Sequence, residues 1–425
     1  MSKLAIHGGK PVRTQPWPRY VTIGAEEKRA VADVLDSGAL SGYLGTWSPG
    51  FYGGPRVQKL EQEWQQYFRV KHAVTMNSAT SGLYAAVGAA GVGPGDEVIC
   101  SPFTMSASAA CALVYNAIPV FADIDPETFS ITAETVRARL TPFTKAIVVV
   151  DIFGQPADME PIMALARAHK LTVIEDAAQA PGATYKGRYA GTLAHLGVFS
   201  LNYHKTIHTG EGGVVVTDDG DLAERLQLIR NHAEVVVKNK GTTNLVNMLG
   251  FNYRMTEIEA AIGSEQLKKL ERLLQPRIDC ANYLTERLRK LPGITPPVVG
   301  PDVRHGYYVY GVRYDAARLG VPRSKFIAAL KAEGIPASEG YVEPIYLQPV
   351  YQQRILYGSQ GCPFTCQYYK GKVSYERGIC PVTERMHDQE FFLMDICHAN
   401  ITPADLEDCV AAFHKVVENI HDLTT

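Results

Sequence analysis

The sequence lacks a charge excess, a long apolar run and a framework of cysteines. Its 425 residues carry 42 Lys and Arg against 44 Asp and Glu, a formal net charge of −2. No global basic field is present to hold nucleic acid or an acidic membrane surface. No stretch approaches the roughly 20 consecutive apolar residues of a membrane span. Met1 to Lys10 contains no apolar core of a signal peptide, so none is expected. The eight cysteines, Cys100, Cys111, Cys280, Cys362, Cys366, Cys380, Cys397 and Cys409, are scattered, several of them inside apolar runs. Free Cys in such runs behaves as a small hydrophobe. A reduced, cytoplasmic setting is therefore expected. No metal is expected either, because Cys362, Cys366, Cys380 and His398 lack the second close pair of a zinc site. The glycine-rich run Gly91-Val92-Gly93-Pro94-Gly95 follows a helix and precedes a strand. A dinucleotide fingerprint needs the opposite order, so a flavin or nicotinamide oxidoreductase is disfavoured.

What is present reads as an ordinary globular protein. Hydrophobic residues make up 46% and charged residues 20%, enough for a sizeable core. The length suits two or three domains at about 150 residues each. An arm over residues 3–20, with Gly8-Gly9, Pro11, Pro16 and Pro18, reads as extended chain. Helical spacing follows over 25–37, then an aromatic-rich loop over 38–54, a helix over 55–68 and a strand over 72–76. That loop either shapes a pocket or packs on the surface. Strands at 97–100, 120–122, 146–150, 172–174, 196–199 and 214–216 alternate with helices at 83–90, 133–140, 161–169 and 222–231. This alternation predicts an α/β domain with a mostly parallel sheet. A helical stretch over 258–289, broken or kinked at Pro276, leads to a smaller α/β part with a strand over 307–314 and a helix over 323–333.

Three segments carry chemistry. The stretch Ser200-Leu201-Asn202-Tyr203-His204-Lys205-Thr206-Ile207-His208-Thr209-Gly210-Glu211-Gly212-Gly213 lies between two short apolar strands. Burial lowers a lysine pKa and makes the amine a nucleophile, as a Schiff-base lysine requires. Upstream, Thr172-Val173-Ile174-Glu175-Asp176-Ala177-Ala178-Gln179 is a strand ending in an acid. A carboxylate there can keep the ring nitrogen of pyridoxal phosphate (PLP) protonated, so that the ring acts as an electron sink. A third segment, Asn77-Ser78-Ala79-Thr80-Ser81-Gly82, is a turn of small residues leading into a helix, which exposes backbone N–H groups to a phosphate. An ordinary helix cap by Ser78 or Thr80 accounts for the same residues.

Together these motifs resemble the DegT/DnrJ/StrS family, largely PLP-dependent sugar aminotransferases of fold-type I. The likeness runs from about Ala25 to Ile420. It implies a large PLP-binding domain over 1–260, with a mostly parallel seven-stranded-type sheet, and a smaller C-terminal α/β domain over 261–425. It implies Lys205 as the catalytic Schiff-base lysine and Asp176 as the partner of the ring nitrogen. Gln179 is implied at the ring hydroxyl, and Ala79, Thr80 and Ser200 at the phosphate. Asn252, in Gly250-Phe251-Asn252-Tyr253-Arg254, is implied to reach the phosphate of a neighbouring subunit, giving a homodimer with shared sites. Relatives stack an aromatic residue on the ring where Met105 stands here, and carry histidines where Asp151 and Tyr346 stand. The segment over 341–346 resembles one near the substrate mouth, and residues 359–378 read as an insertion.

The reaction implied is transfer of an amino group from L-glutamate or L-glutamine to a keto sugar, the commonest family acceptors being nucleotide-linked. The opening Leu4-Ala5-Ile6-His7-Gly8-Gly9-Lys10-Pro11-Val12-Arg13 also resembles relatives that aminate keto cyclitols of the scyllo-inosose type. A PLP-dependent sugar dehydratase is an alternative, but such relatives carry histidine where the lysine stands, and Lys205 keeps the family spacing. A PLP-bound regulator without turnover would require a decayed site.

Overall fold

The computed structural model describes residues 3–424. Its centre is a seven-stranded sheet. The strands in chain order are β1 (His72–Met76), β2 (Glu97–Cys100), β3 (Ile118–Phe121), β4 (Thr144–Val150), β5 (Thr172–Asp176), β6 (Leu196–Ser200) and β7 (Gly213–Thr217). Their spatial order is β1-β7-β6-β5-β4-β2-β3. The pairs β2/β3, β2/β4, β4/β5 and β5/β6 are parallel, whereas β7 is antiparallel to both of its neighbours. β7 alone is reversed, and the loop that joins it to β6 contains no crossover helix.

Both faces of the sheet are covered, so its strands are apolar on both sides. Along β4, Ala146 and Val148 face one core with α3 (Ala79–Ala89), while Ile147 and Val149 face another. Trp64 and Phe68 of α2 (Pro55–Phe68) pack on Phe199 of β6. The aromatic loop over 38–54 is packed rather than lining the site of its own chain. Tyr43 and Phe51 are buried, and the Asn231 side-chain amide donates to Leu44 O and Phe51 O.

The second lobe is a four-stranded antiparallel sheet of β8 (Ile294–Thr295), β9 (Tyr310–Tyr314), β10 (Ala337–Glu339) and β11 (Phe391–Met394), in the order β8-β9-β11-β10. The helix α4 (Glu257–Leu288) runs from one lobe to the other. It starts in a capping box, with Thr256 Oγ accepting from Glu259 N and Glu259 accepting from Thr256 N. Leu267 and Leu270 pack in the large lobe, and Leu284 and Leu288 in the small one.

Two expectations are corrected. α4 passes through Pro276 without a break. The strand expected from Tyr307 starts at Tyr310: Tyr307 has φ 47°, and the carbonyls of Tyr307 and Tyr308 accept from Arg277 instead of a strand. Within the segment over 341–346, Tyr341 reaches the site by accepting from Gln179 Nε2, whereas Tyr346 is buried with its hydroxyl on Glu384. The insertion over 359–378 closes on the β2–β3 edge, where Tyr369 donates to Glu97 and Tyr375 to Pro119 O. Among the described residues, no helix is long and apolar enough to cross a membrane.

Candidate active site

The carboxyl ends of β1, β2, β4, β5 and β6 meet at one edge of the sheet, where the reversed β7 begins. Open α/β sheets place their ligand crevices at that edge. A cavity of about 180 Å³ lies there. Seven of the eight residues expected at the site line it: Ala79, Thr80, Met105, Asp176, Gln179, Ser200 and Lys205.

Lys205 follows β6 in a loop closed by Lys205 N donating to Asn202 O (2.9 Å). Its side chain is buried, with Nζ 4.4 Å from the centre of the Tyr308 ring. Burial pulls the ammonium down to about 8, against the opposing pull of the Asp176 carboxylate. At the end of β5, Asp176 is buried too. Its Oδ2 accepts from Ser108 Oγ at 2.7 Å and its Oδ1 from Ala178 N at 3.2 Å. Burial raises its pKa, while Ser108, Ala178 and Lys205 act in the opposite direction. The result is a buried amine and a buried acid facing one small cavity.

Gln179 is fixed from both ends. Its Oε1 accepts from Phe153 N at 2.6 Å, and its Nε2 donates to the Tyr341 hydroxyl at 3.1 Å. At the opposite wall, Ser78 caps α3 by accepting from Ser81 N at 3.0 Å. The amides of the first turn have no acceptor within the helix, so Ala79 and Thr80 present N–H groups at its N-terminus. Gly213 permits this approach: a Cβ there would lie 2.6 Å from Ala79 N. Ser200 Oγ accepts from Asn202 N. Asn202 also lines the cavity, its amide donating to Glu211 while its Oδ1 is buried without a partner. Met105 lines the rim and is 58% exposed.

Asn252 is outside this cavity. Its side chain is on the surface, accepting from Arg254 Nε at 2.8 Å. Three residues assigned no role from sequence complete the geometry: Ser108, Tyr308 and Tyr341. Ser108 stands in a run of small residues, Tyr308 lies in a segment that reads as strand, and Tyr341 opens the segment expected near the mouth. Nothing local marks the first two. Among the described residues, no group of three or more His, Cys, Asp and Glu is placed to hold a metal ion.

Residues 22–414 match the model of the DegT/DnrJ/EryC1/StrS aminotransferase family. The chain is 35% identical to an L-glutamine:2-deoxy-scyllo-inosose aminotransferase of Streptomyces lividus, over 99% of each chain. It is 40% identical to a GDP-perosamine synthase of Caulobacter vibrioides, over 70% of this chain and 79% of the relative. Its fold superposes with a TM-score of 0.82 on an aminotransferase from Psychrobacter cryohalolentis, 30% identical, covering 96% of this chain and all of that one. With a buried lysine and a buried aspartate at the crevice of such a sheet, and a family match over nearly its whole length, the chain belongs to the DegT/DnrJ/EryC1/StrS aminotransferases.

Proposed function

We propose that this aminotransferase uses PLP, and moves an amino group from L-glutamate or L-glutamine to the keto group of a sugar, most simply a nucleotide-linked one. The observation that carries the reading is Lys205, buried and of lowered pKa, opposite the buried Asp176.

The residues present fit that cofactor. A buried carboxylate with both oxygens oriented suits a protonated ring nitrogen. First-turn amides at α3, with Thr80 and Ser200, suit a phosphate. The unpartnered Asn202 Oδ1 is an acceptor still to be satisfied at the same wall. PLP, when bound, supplies an electron sink for the carbon that loses its proton. Asp176 would hold positive charge at the ring nitrogen, its carboxylate fixed by Ser108 Oγ and Ala178 N. Gln179, locked by Phe153 and Tyr341, orients the ring hydroxyl. Lys205 Nζ, as the free amine, would take the proton from the donor's Cα as general base. The face of Tyr308 stabilises the ammonium so formed. Met105 contributes a thioether contact rather than a stacked ring. Asn252, on the surface, would serve the phosphate of a second subunit, making the working unit a homodimer with shared sites.

A keto cyclitol is the second acceptor reading. The end-to-end similarity to the scyllo-inosose aminotransferase favours it, and that relative's name gives L-glutamine as its donor. The deciding experiment is reconstitution with PLP, then titration with L-glutamate and separately with L-glutamine. The visible band of the loaded protein is expected to collapse to the pyridoxamine form, fastest with the true donor. The Lys205→Ala variant should keep its circular dichroism and lose turnover; turnover by that variant overturns the assignment.

A further inference from the structure

Behind Asp176 lie two more carboxyl groups. Glu175 precedes it on β5, and Asp151 follows β4. The register pairs Val149 with Glu175 and Val150 with Asp176, which brings Asp151 alongside, its N–H donating to Asp176 O at 3.1 Å. Both side chains are fully buried. Asp151 Oδ1 accepts from Ala157 N at 3.0 Å, and Glu175 Oε2 accepts from Leu193 N at 2.8 Å. Asp151 Oδ2 and Glu175 Oε1 are buried and meet no donor at full hydrogen-bond distance and angle among the described residues, while the N–H groups of Gly191 and Ala194, beside that of Leu193, favour the ionised form of Glu175. The two side chains are within hydrogen-bonding reach of each other. Two ionised carboxylates are acceptors only and cannot bond to each other; one proton between them satisfies both orphaned oxygens.

We propose that Asp151 and Glu175 share one proton at neutral pH, Asp151 donating it, and that this bond positions the loop holding Gln179 and Tyr308 against the strand that carries Asp176. The loop begins at Asp151 and is tied to the site at three points. Phe153 N donates to Gln179 Oε1, Tyr308 N to Phe153 O (2.7 Å), and Gly306 N to Gly154 O (2.7 Å). Asp151 is thus a positioning residue. The surrounding charges agree. Burial, then Glu175 and Asp176, raise the Asp151 acid well above the carboxylate range. Lys205 faces Asp176 rather than the pair. His305, beside Gly154, is pushed down to about 3 by burial and adds no charge.

The test uses two substitutions of similar size. Asp151→Asn supplies the donor permanently and keeps the acceptor for Ala157; Asp151→Leu supplies neither. In the cofactor-free protein at neutral pH, the infrared C=O band of a buried protonated carboxyl is expected in the wild type and absent in Asp151→Asn. A folded pKa raised above the unfolded value gives stability that is full below about pH 4 and lost as pH rises through the folded value. Asp151→Asn should therefore melt higher than wild type at about pH 8, with the gap closing towards about pH 4. An acid band that persists in Asp151→Asn, or no gain in melting temperature at the higher pH, overturns the shared proton. After PLP loading, Asp151→Asn should retain the visible band while Asp151→Leu loses PLP on dialysis. Equal retention by both overturns the positioning role. That last step rests on the proposed cofactor site. If the wild type itself takes up no PLP, that site fails, whereas the infrared and melting results still decide the proton.

Discussion

The chemistry of this protein is set by single buried charges, and each has a cost in stability. Lys205 falls from an ordinary 10.5 to about 8 because its ammonium is buried. At pH 7 roughly a tenth of it is free amine, against a few parts in ten thousand for a lysine of pKa ~10.4. Capture of PLP by the cofactor-free protein should therefore speed up about tenfold per pH unit up to about 8 and then level off, as a stopped-flow pH series would read; a rise continuing to pH 10 would show an unperturbed lysine. The same shift fixes a sign in stability. The folded state releases a proton that the unfolded state keeps between about 8 and 10.5, so stability rises with pH across that window and the full penalty applies below it. That penalty is ~3 kcal/mol at about 1.4 kcal/mol per pH unit. Lys205→Met, uncharged and of similar length, should thus be inactive yet unfold at higher denaturant concentration than the cofactor-free wild type at pH 7. At this scale the sequence was informative where a motif fixed the spacing: Lys205, Asp176 and Gln179 all face one cavity. It was silent on Ser108 and Tyr308, because their roles come from tertiary placement, 68 residues from Asp176 in one case and in a different lobe's segment in the other.

Elements were legible to the extent that their signals are local. The bounds of α1 (Ala25–Ser37), α2 and β1 follow from caps, prolines and apolar spacing alone. What completes them is not local. The first turn of α2 begins with Pro55, which has no N–H to satisfy. Gln58 N bonds to Gly54 O, and the N–H groups of Arg56 and Val57 donate to the carboxylate of Glu257, 2.8 and 3.2 Å away. Glu257, the first residue of α4, therefore caps a helix 200 positions earlier. Its negative charge also suits the positive end of the α2 dipole. No sequence window contains that relation. Glu257→Ala should cost about 1–2 kcal/mol, the upper range of a lost cap, read as a lower midpoint in chemical denaturation. Glu257→Gln should cost less, since the amide oxygen still accepts one bond. Pro276 shows the opposite limit of local reading. Its ring forbids one helical hydrogen bond, yet packing of Leu273 and Leu274 before it and Ala281 and Leu284 after it holds α4 in one piece.

For the whole molecule, the alternation of strands and helices was enough for the parallel sheet, but not for which distant segments would cover it. Leu4 at one end of the chain is buried in the core of the C-terminal lobe, where Glu333 accepts from Ala5 N, Val12 N and Lys415. Conversely, Tyr346, Tyr351 and Tyr375 return to the core of the large sheet. These closures depend on surface matched across hundreds of residues, which periodicity does not encode. Asn252 is exposed and does not line the cavity that holds Lys205, so a part for it in that chemistry requires a second subunit. If the partner subunit completes each site, lesions in Lys205 and Asn252 must complement in trans. Lys205→Ala disables the site in its own subunit; Asn252→Ala weakens the site in the other. Mixed and allowed to exchange subunits, the two poor enzymes form hybrids in which one site carries both changes and the other carries neither. With random exchange about a quarter of all sites are then intact, so activity should return to about that fraction of wild type. Activity no greater than the sum of the two separate variants, with exchange verified by mass spectrometry of differently tagged chains, would place Asn252 in its own subunit's function and remove the argument for a shared site.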